Sequence, residues 1–175
     1  MAGPVYAAAV ILPDGLEIPE LNDSKKLTEK KREALFDEIC QKAVAYGIGC
    51  ASEQEIDEIN ILQATYLAMR RAVEQLSVPA DYALVDGNRM PPLAIPGETV
   101  VKGDAKSASI AAASILAKVS RDRVMLLIDP VYPQYQFAKH KGYGTKVHRE
   151  ALLTYGPCPI HRKTFLTKIL GQHHE

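Results

Sequence analysis

Two aspartates stand where a folded chain could gather negative charge. Asp86 follows the apolar run Tyr82–Val85, and Asp104 follows Thr99–Val101 and opens a helical stretch. Carboxylates at the ends of neighbouring strands converge where open α/β sheets place their ligand crevice. Hard oxygens clustered there suit magnesium or manganese, which prefer carboxylates and water. Asp86-Gly87 also reads as an ordinary turn, and Asp104 as an ordinary helix N-cap. On spacing alone both readings stay open.

Groups able to meet phosphate lie elsewhere. Asp23-Ser24-Lys25-Lys26 precedes a helix, so a hydroxyl and two ammonium groups could hold a phosphate there, although solvated loop lysines are the commoner case. Lys118, Arg121 and Arg123 could do the same, although cations near a helix C-terminus are favoured by the dipole in any case. The loop from Lys139 to Lys146 interleaves Lys139, His140, Lys141 and Lys146 with Tyr143, which two glycines flank. A tyrosine on such a loop can stack on a sugar or base while lysines meet the backbone; it can equally fold back onto the core. His140, His148 and His161 are scattered and match no metal motif. Nucleophile elbows, GxGxxG and phosphate-cradling Gly-rich loops are absent, so hydride transfer, NTP hydrolysis and acyl transfer have no visible support.

The elements that must carry these residues can be read from the pattern. The first strand is expected over Val5–Leu12, closed by Pro13-Asp14-Gly15. Thr28 caps a helix over Glu29–Ala43 with Ala34, Leu35 and Ile39 inward, and Val44–Cys50 is a second strand. Ser52 and Glu55 form a capping box for a helix running to about Leu76, with Ile56, Ile59, Tyr66, Leu67 and Val73 near helical spacing. Strands follow at Tyr82–Val85 and Thr99–Lys102. Lys106–Arg123 is one helix whose Ala108, Ala111, Ala112 and Ala113 permit close packing on a sheet. A basic loop, a helix over Val147–Tyr155 and a tail with Pro and His close the chain. The class is α/β.

The chain has 175 residues, 47% of them hydrophobic and 24% charged, which excludes disorder, collagen and coiled coil. Its formal charge of zero hides a division. Residues 1–101 hold 9 basic and 16 acidic side chains, whereas 102–175 hold 12 and 5. Such a division suits the C-terminal part to face a polyanion, and it reads equally as ordinary surface charge. Three dispersed cysteines, Cys40, Cys50 and Cys158, read as reduced thiols of a cytoplasmic protein. No apolar run is long enough to span a membrane, and residues 1–13 suit a buried strand better than a signal sequence.

Taken together these segments resemble the ribonuclease HII family, RNase H-fold endonucleases that cut RNA strands, or single ribonucleotides, embedded in duplex DNA. The blocks that carry the resemblance are Leu21-Asn22-Asp23-Ser24-Lys25-Lys26-Leu27, Glu55 to Leu62, and Val85-Asp86-Gly87-Asn88-Arg89. Val101-Lys102-Gly103-Asp104, Ala112 to Val119 with Arg121-Asp122, and His140-Lys141-Gly142-Tyr143 complete them, in family order and across nearly the whole chain.

The resemblance implies a single RNase H-like domain over 1–175, in which a mixed sheet is flanked by helices. Residues 139–175 form its basic loop and C-terminal helical segment. It also implies a monomer that hydrolyses RNA in RNA–DNA hybrids through two divalent ions, Mn2+ or Mg2+, leaving a 3′-hydroxyl and a 5′-phosphate. Asp86 and Asp104 match the third and fourth of the family's four metal-holding carboxylates. Tyr143 matches a tyrosine that packs at the RNA–DNA junction; Ser24, Lys25 and Lys26 match a loop near the nucleic-acid backbone, and Lys141 adds a further contact.

One departure qualifies this. The family's first strand carries an Asp-Glu pair and a Gly-Arg-Gly turn shortly before an Ala-Gly-Pro-Val segment, and this chain begins at that segment, Ala2-Gly3-Pro4-Val5. The expectation is a truncated domain lacking its central strand, between those ending near Leu12 and Asp86, with Met1 an internal codon taken as the start. Near-absent hydrolysis and poor stability follow, unless the remaining strands close the gap. The alternative function is a catalytically dead nucleic-acid-binding remnant of the same family.

Overall fold

Thr28 and Ser52 open helices by the chemistry their hydroxyls allow. Thr28 Oγ1 accepts the Lys31 N–H at 3.3 Å and starts α1 (Glu29–Lys42). Ser52 and Glu55 cap each other reciprocally, both bonds 3.1 Å, and start α2 (Glu53–Glu74). A computed structural model describes residues 1–170, with the side chains of 22–24 and 168 outside the description.

In chain order the elements are β1 (Val5–Ile11), a 3-10 turn (Leu21–Lys26), α1, β2 (Ala45–Ala51), α2, β3 (Ala83–Asp86) and β4 (Gly97–Val100). Then come α3 (Gly103–Lys106), α4 (Ala108–Ile128), a 3-10 turn (Pro133–Tyr135), α5 (Phe137–His140), α6 (Lys146–Tyr155) and α7 (Lys163–Leu170). The mixture of strands and helices is the expected one. The strands form two separate pairs, β1 with β2 and β3 with β4, rather than one sheet.

The chain divides into two compact units. The larger comprises Tyr6–Cys50 and Thr65–Val119. Its core gathers Leu35 and Ile39 of α1 with Ala111, Ala112, Ile115, Leu116 and Val119 of α4, over Leu21 and Leu27. The expected inward set needs two corrections. Ala34 and Ala108 lie at the surface, and Phe36 packs on the core from α1.

β2 and the second half of α2 meet almost backbone to backbone. A Cβ on Gly47 would stand 2.0 Å from the Ala72 carbonyl oxygen, and one on Gly49 would stand 2.3 Å from that of Ala68. Ala68 and Ala72 are fully buried in return. Small residues on both elements therefore set this contact, not the large apolar residues expected from the period.

Between the free edges of β1 and β3 runs an open groove of about 460 Å³. Consecutive residues of both strands, Tyr6–Leu12 and Tyr82–Asp86, line it. Met69 and Val73 of α2 and Ile110, Ala113 and Ala117 of α4 also line it. The remaining strands do not close the gap.

The second unit comprises Met1–Val5, Ala51–Ala64 and Ser120–Glu175. Its core joins Ala2, Met125, Tyr135, Phe137, Ala151, Leu152 and Leu166. Within α2, Asn60 leaves helical geometry (φ 71°, ψ 167°), so the element is two helices meeting at a kink. Asn60 Oδ1 caps the second of these by accepting the Gln63 N–H at 3.0 Å. The kink leaves Ile59, expected inward, 38% exposed. α4 begins at Ala108 because Ser107 is extended and its hydroxyl accepts the Ile110 N–H at 3.3 Å. Among the described residues no helix is long and apolar enough to cross a membrane. All three cysteines are free thiols.

Candidate active site and nucleic-acid interface

The parallel pairing of β3 and β4 runs from Ala83↔Gly97 to Asp86↔Val100, so both strands end at one level. The Gly87 N–H extends the ladder onto the Val100 carbonyl at 3.1 Å. Past β4 the chain turns through Lys102 in the left-handed region (φ 54°) and enters α3. Asp86 Oδ1 accepts the Gly103 N–H at 2.9 Å, which draws the residue before Asp104 onto the Asp86 carboxylate. A Cβ at this position would stand 2.6 Å from Ile110 Cδ1 and 3.3 Å from Asp86 Oδ1, so a larger residue here would have to displace both side chains.

Asp104 follows in the first turn of α3, its side chain 13% exposed, with Lys25 Nζ 3.5 Å from Oδ2. Lys26 is exposed beside it in sequence. The structure thus brings Asp86, Asp104 and Lys25 to one strand end, while the Ser24 side chain lies outside the described residues. Two carboxylates, one of them sheltered, are the oxygen donors a hard divalent cation takes. No group of three or more His, Cys, Asp or Glu able to share an ion occurs among the described residues.

In the second unit, α5 ends at His140 and the chain reverses through Lys141 (φ 55°) and Gly142 (φ 85°). Tyr143 stands 55% exposed, so it is presented to solvent and not folded onto the core. Its ring lies 5.2 Å from the Arg121 guanidinium carbon. Arg121, a candidate phosphate contact by sequence, instead donates to the carbonyls of Ala2 (2.9 Å), Pro4 (3.1 Å) and Lys141 (2.6 Å). The Lys141 side chain is half-buried.

The three scattered histidines are gathered. His140, His148 and His161 are all buried, and His148 Nε2 lies 2.8 Å from His161 Nε2. The His140 and His148 rings stack with centroids 4.3 Å apart. Burial pushes the pKa values of His148 and His161 down to about 4 and lowers that of His140. Spacing gave no signal for this cluster, because α5, α6 and the turn before α7 each supply one member.

Asp57 was also missed. Its carboxylate accepts the Lys163 and Thr164 N–H groups, both at 3.0 Å, and the Thr164 hydroxyl at 2.9 Å. Burial acts to raise its pKa, but these hydrogen bonds prevail and hold it below the usual carboxylate value.

Comparison with known proteins bears on the whole chain. Residues 1–168 match the family model described as Ribonuclease HII. The chain is 58% identical over 165 residues to the ribonuclease HII of Syntrophotalea carbinolica, covering 94% of this chain and 79% of that protein. It is also 58% identical over 170 residues to that of Caldanaerobacter subterraneus, covering 97% and 70%. Among solved structures, ribonuclease H2 from Pyrococcus horikoshii superposes with a TM-score of 0.74 at 25% identity, covering 98% of this chain and 99% of that one. The Archaeoglobus fulgidus RNase HII, solved in complex with PCNA, gives 0.73 at 25% identity, covering 95% and 88%. A family model spanning nearly every described residue, joined to relatives this similar, places the chain in the ribonuclease HII family of RNA–DNA hybrid endoribonucleases.

Proposed function

We propose that Asp86 and Asp104 hold a divalent cation at the β3–α3 junction, and that the chain acts there on the RNA of RNA–DNA hybrids or on ribonucleotides embedded in duplex DNA. The observation that carries this reading is the Asp86–Gly103 hydrogen bond, which ties the two carboxylates to one strand end. Mn2+ and Mg2+ both suit such oxygens, and when bound they activate water and stabilise the leaving oxygen in phosphodiester hydrolysis. Lys25 balances the Asp104 charge at 3.5 Å and offers its ammonium to a backbone phosphate. Lys26 and Ser24 extend that contact; Lys141 and Tyr143 meet the duplex from the basic loop, with the ring stacking on a sugar or base. The protein would act as a cytoplasmic monomer.

A second reading, a nucleic-acid binder without turnover, is favoured by the ligand count: Asp86 bonds the residue next to Asp104, and no group of three or more His, Cys, Asp or Glu able to share an ion occurs among the described residues. One experiment separates the two. Purified protein is incubated with Mn2+ and a duplex carrying one ribonucleotide. Cleavage supports the nuclease, binding without cleavage supports the second reading, and the absence of both cleavage and binding removes both. In parallel, Asp86→Asn is expected to weaken Mn2+ binding, read by electron paramagnetic resonance, by about tenfold or more. Unchanged Mn2+ affinity would take Asp86 out of the site.

A further inference from the structure

The hydrogen bonds around the buried histidines leave each ring one neutral tautomer. The Cys158 N–H donates to His161 Nδ1 at 2.9 Å, so the His161 proton sits on Nε2. That N–H points at His148 Nε2, 2.8 Å away, which must then be the acceptor. The His148 proton is left on Nδ1, 2.8 Å from the Tyr143 carbonyl oxygen. A directed chain therefore runs from the Cys158 amide through two imidazoles and ends on Tyr143. His140 acts alongside: its Nδ1 accepts the Gly142 N–H at 3.1 Å, and its Nε2 donates to the Tyr135 carbonyl.

We infer that His148, backed by His161, is a positioning residue that fixes the turn presenting the Tyr143 ring. Three features argue against simple filling of the core. The chain terminates on the backbone of an exposed residue and not on another core group. The turn it holds contains Lys141 at positive φ, a conformation that a non-glycine residue keeps only where its surroundings over-determine it. The ring itself rests near Arg121, whose guanidinium is in turn fixed by the carbonyls of Ala2, Pro4 and Lys141. Backbone and ring are thus held from two sides. An apolar residue at 148 would fill the space but leave the His161 N–H without a partner and the Tyr143 carbonyl held by the Thr145 N–H alone, at 2.9 Å.

This role rests on the reading that Tyr143 meets the nucleic acid. The test uses the full chain in EDTA, which prevents turnover, with fluorescence-anisotropy titration of a duplex carrying one ribonucleotide. His148→Leu removes the donor; His148→Asn places an amide N–H near the position of Nδ1. His148→Leu is expected to weaken binding roughly tenfold, the scale of one lost stacking contact. His148→Asn is expected to restore most of that affinity. Tyr143→Ala should lose as much as His148→Leu, and the double variant no more than either alone.

Additive losses overturn the proposal, as does wild-type affinity in His148→Leu when Tyr143→Ala is weak. If Tyr143→Ala itself binds normally, the functional reading of the loop fails, and 15N relaxation of residues 141–144 decides the positioning role alone. Increased motion in His148→Leu, reversed in His148→Asn, sustains it; an unchanged turn overturns it.

Discussion

A proton has little welcome at His148 or His161. Each ring is buried and held near pKa 4, against 6.5 for a free imidazole. A base whose folded pKa is depressed binds more protons when unfolded, so stability is intact above pH 6.5 and declines as pH falls toward about 4. A melting series across that window is expected to show a falling Tm, with a shallower slope in His148→Asn. Asp57 contributes in a lower window, because its own pKa lies below the carboxylate value of 3.8. Replacing Asp57 with Ala removes the cap of α7 and is expected to destabilise the protein by about 1 kcal/mol in urea denaturation, the usual loss for a helix cap. Neither His148 nor Asp57 stood out in the sequence: His148 depends on His161, which belongs to a different segment, and Asp57 acts on Lys163 and Thr164 across most of the chain.

What the sequence reveals of the elements depends on where their signals lie. Thr28, and Ser52 with Glu55, sit within three residues of the amides they cap, and both helix starts were legible. The Asp86 turn and the opening of a helix at Asp104 were legible for the same reason; the contact joining them runs through Gly103, which only the parallel register of β3 and β4 reveals. Asn60 was not legible as a kink because the apolar period continues on both sides of it. Its positive φ is tolerated with help from the cap it provides, so Asn60→Ala is expected to destabilise by about 1–3 kcal/mol. Gly47 and Gly49 read as ordinary strand residues until α2 is laid against them. Gly49→Ala must push the helix off the strand, with an expected loss of about 3 kcal/mol or more by chemical denaturation.

At the scale of the molecule, the division of charge follows the chain more than any single site. The acidic N-terminal portion nevertheless contains Asp86, and the basic C-terminal portion contains Tyr143. The resemblance pointed to a gap between β1 and β3, and the larger unit shows one of about 460 Å³. Its walls include Ala7, Val10, Leu84 and Ile110. Apolar surface left open in this way is expected to bind a dye such as ANS in the native state, at a level that most folded proteins do not reach.

The same two strand edges have a consequence in time. Along a strand, alternate amides point to opposite sides, so in β1 and β3 every second N–H faces the groove instead of a neighbouring strand. Such amides have no ladder to break before they exchange. In deuterium oxide they should relabel at the pace of frayed termini, although Val85 beside them is buried. Their neighbours, bonded to β2 and β4, should keep their protons far longer. An alternating fast and slow pattern along Val5–Ile11 and Ala83–Asp86 is thus the signature of a strand paired on one side only.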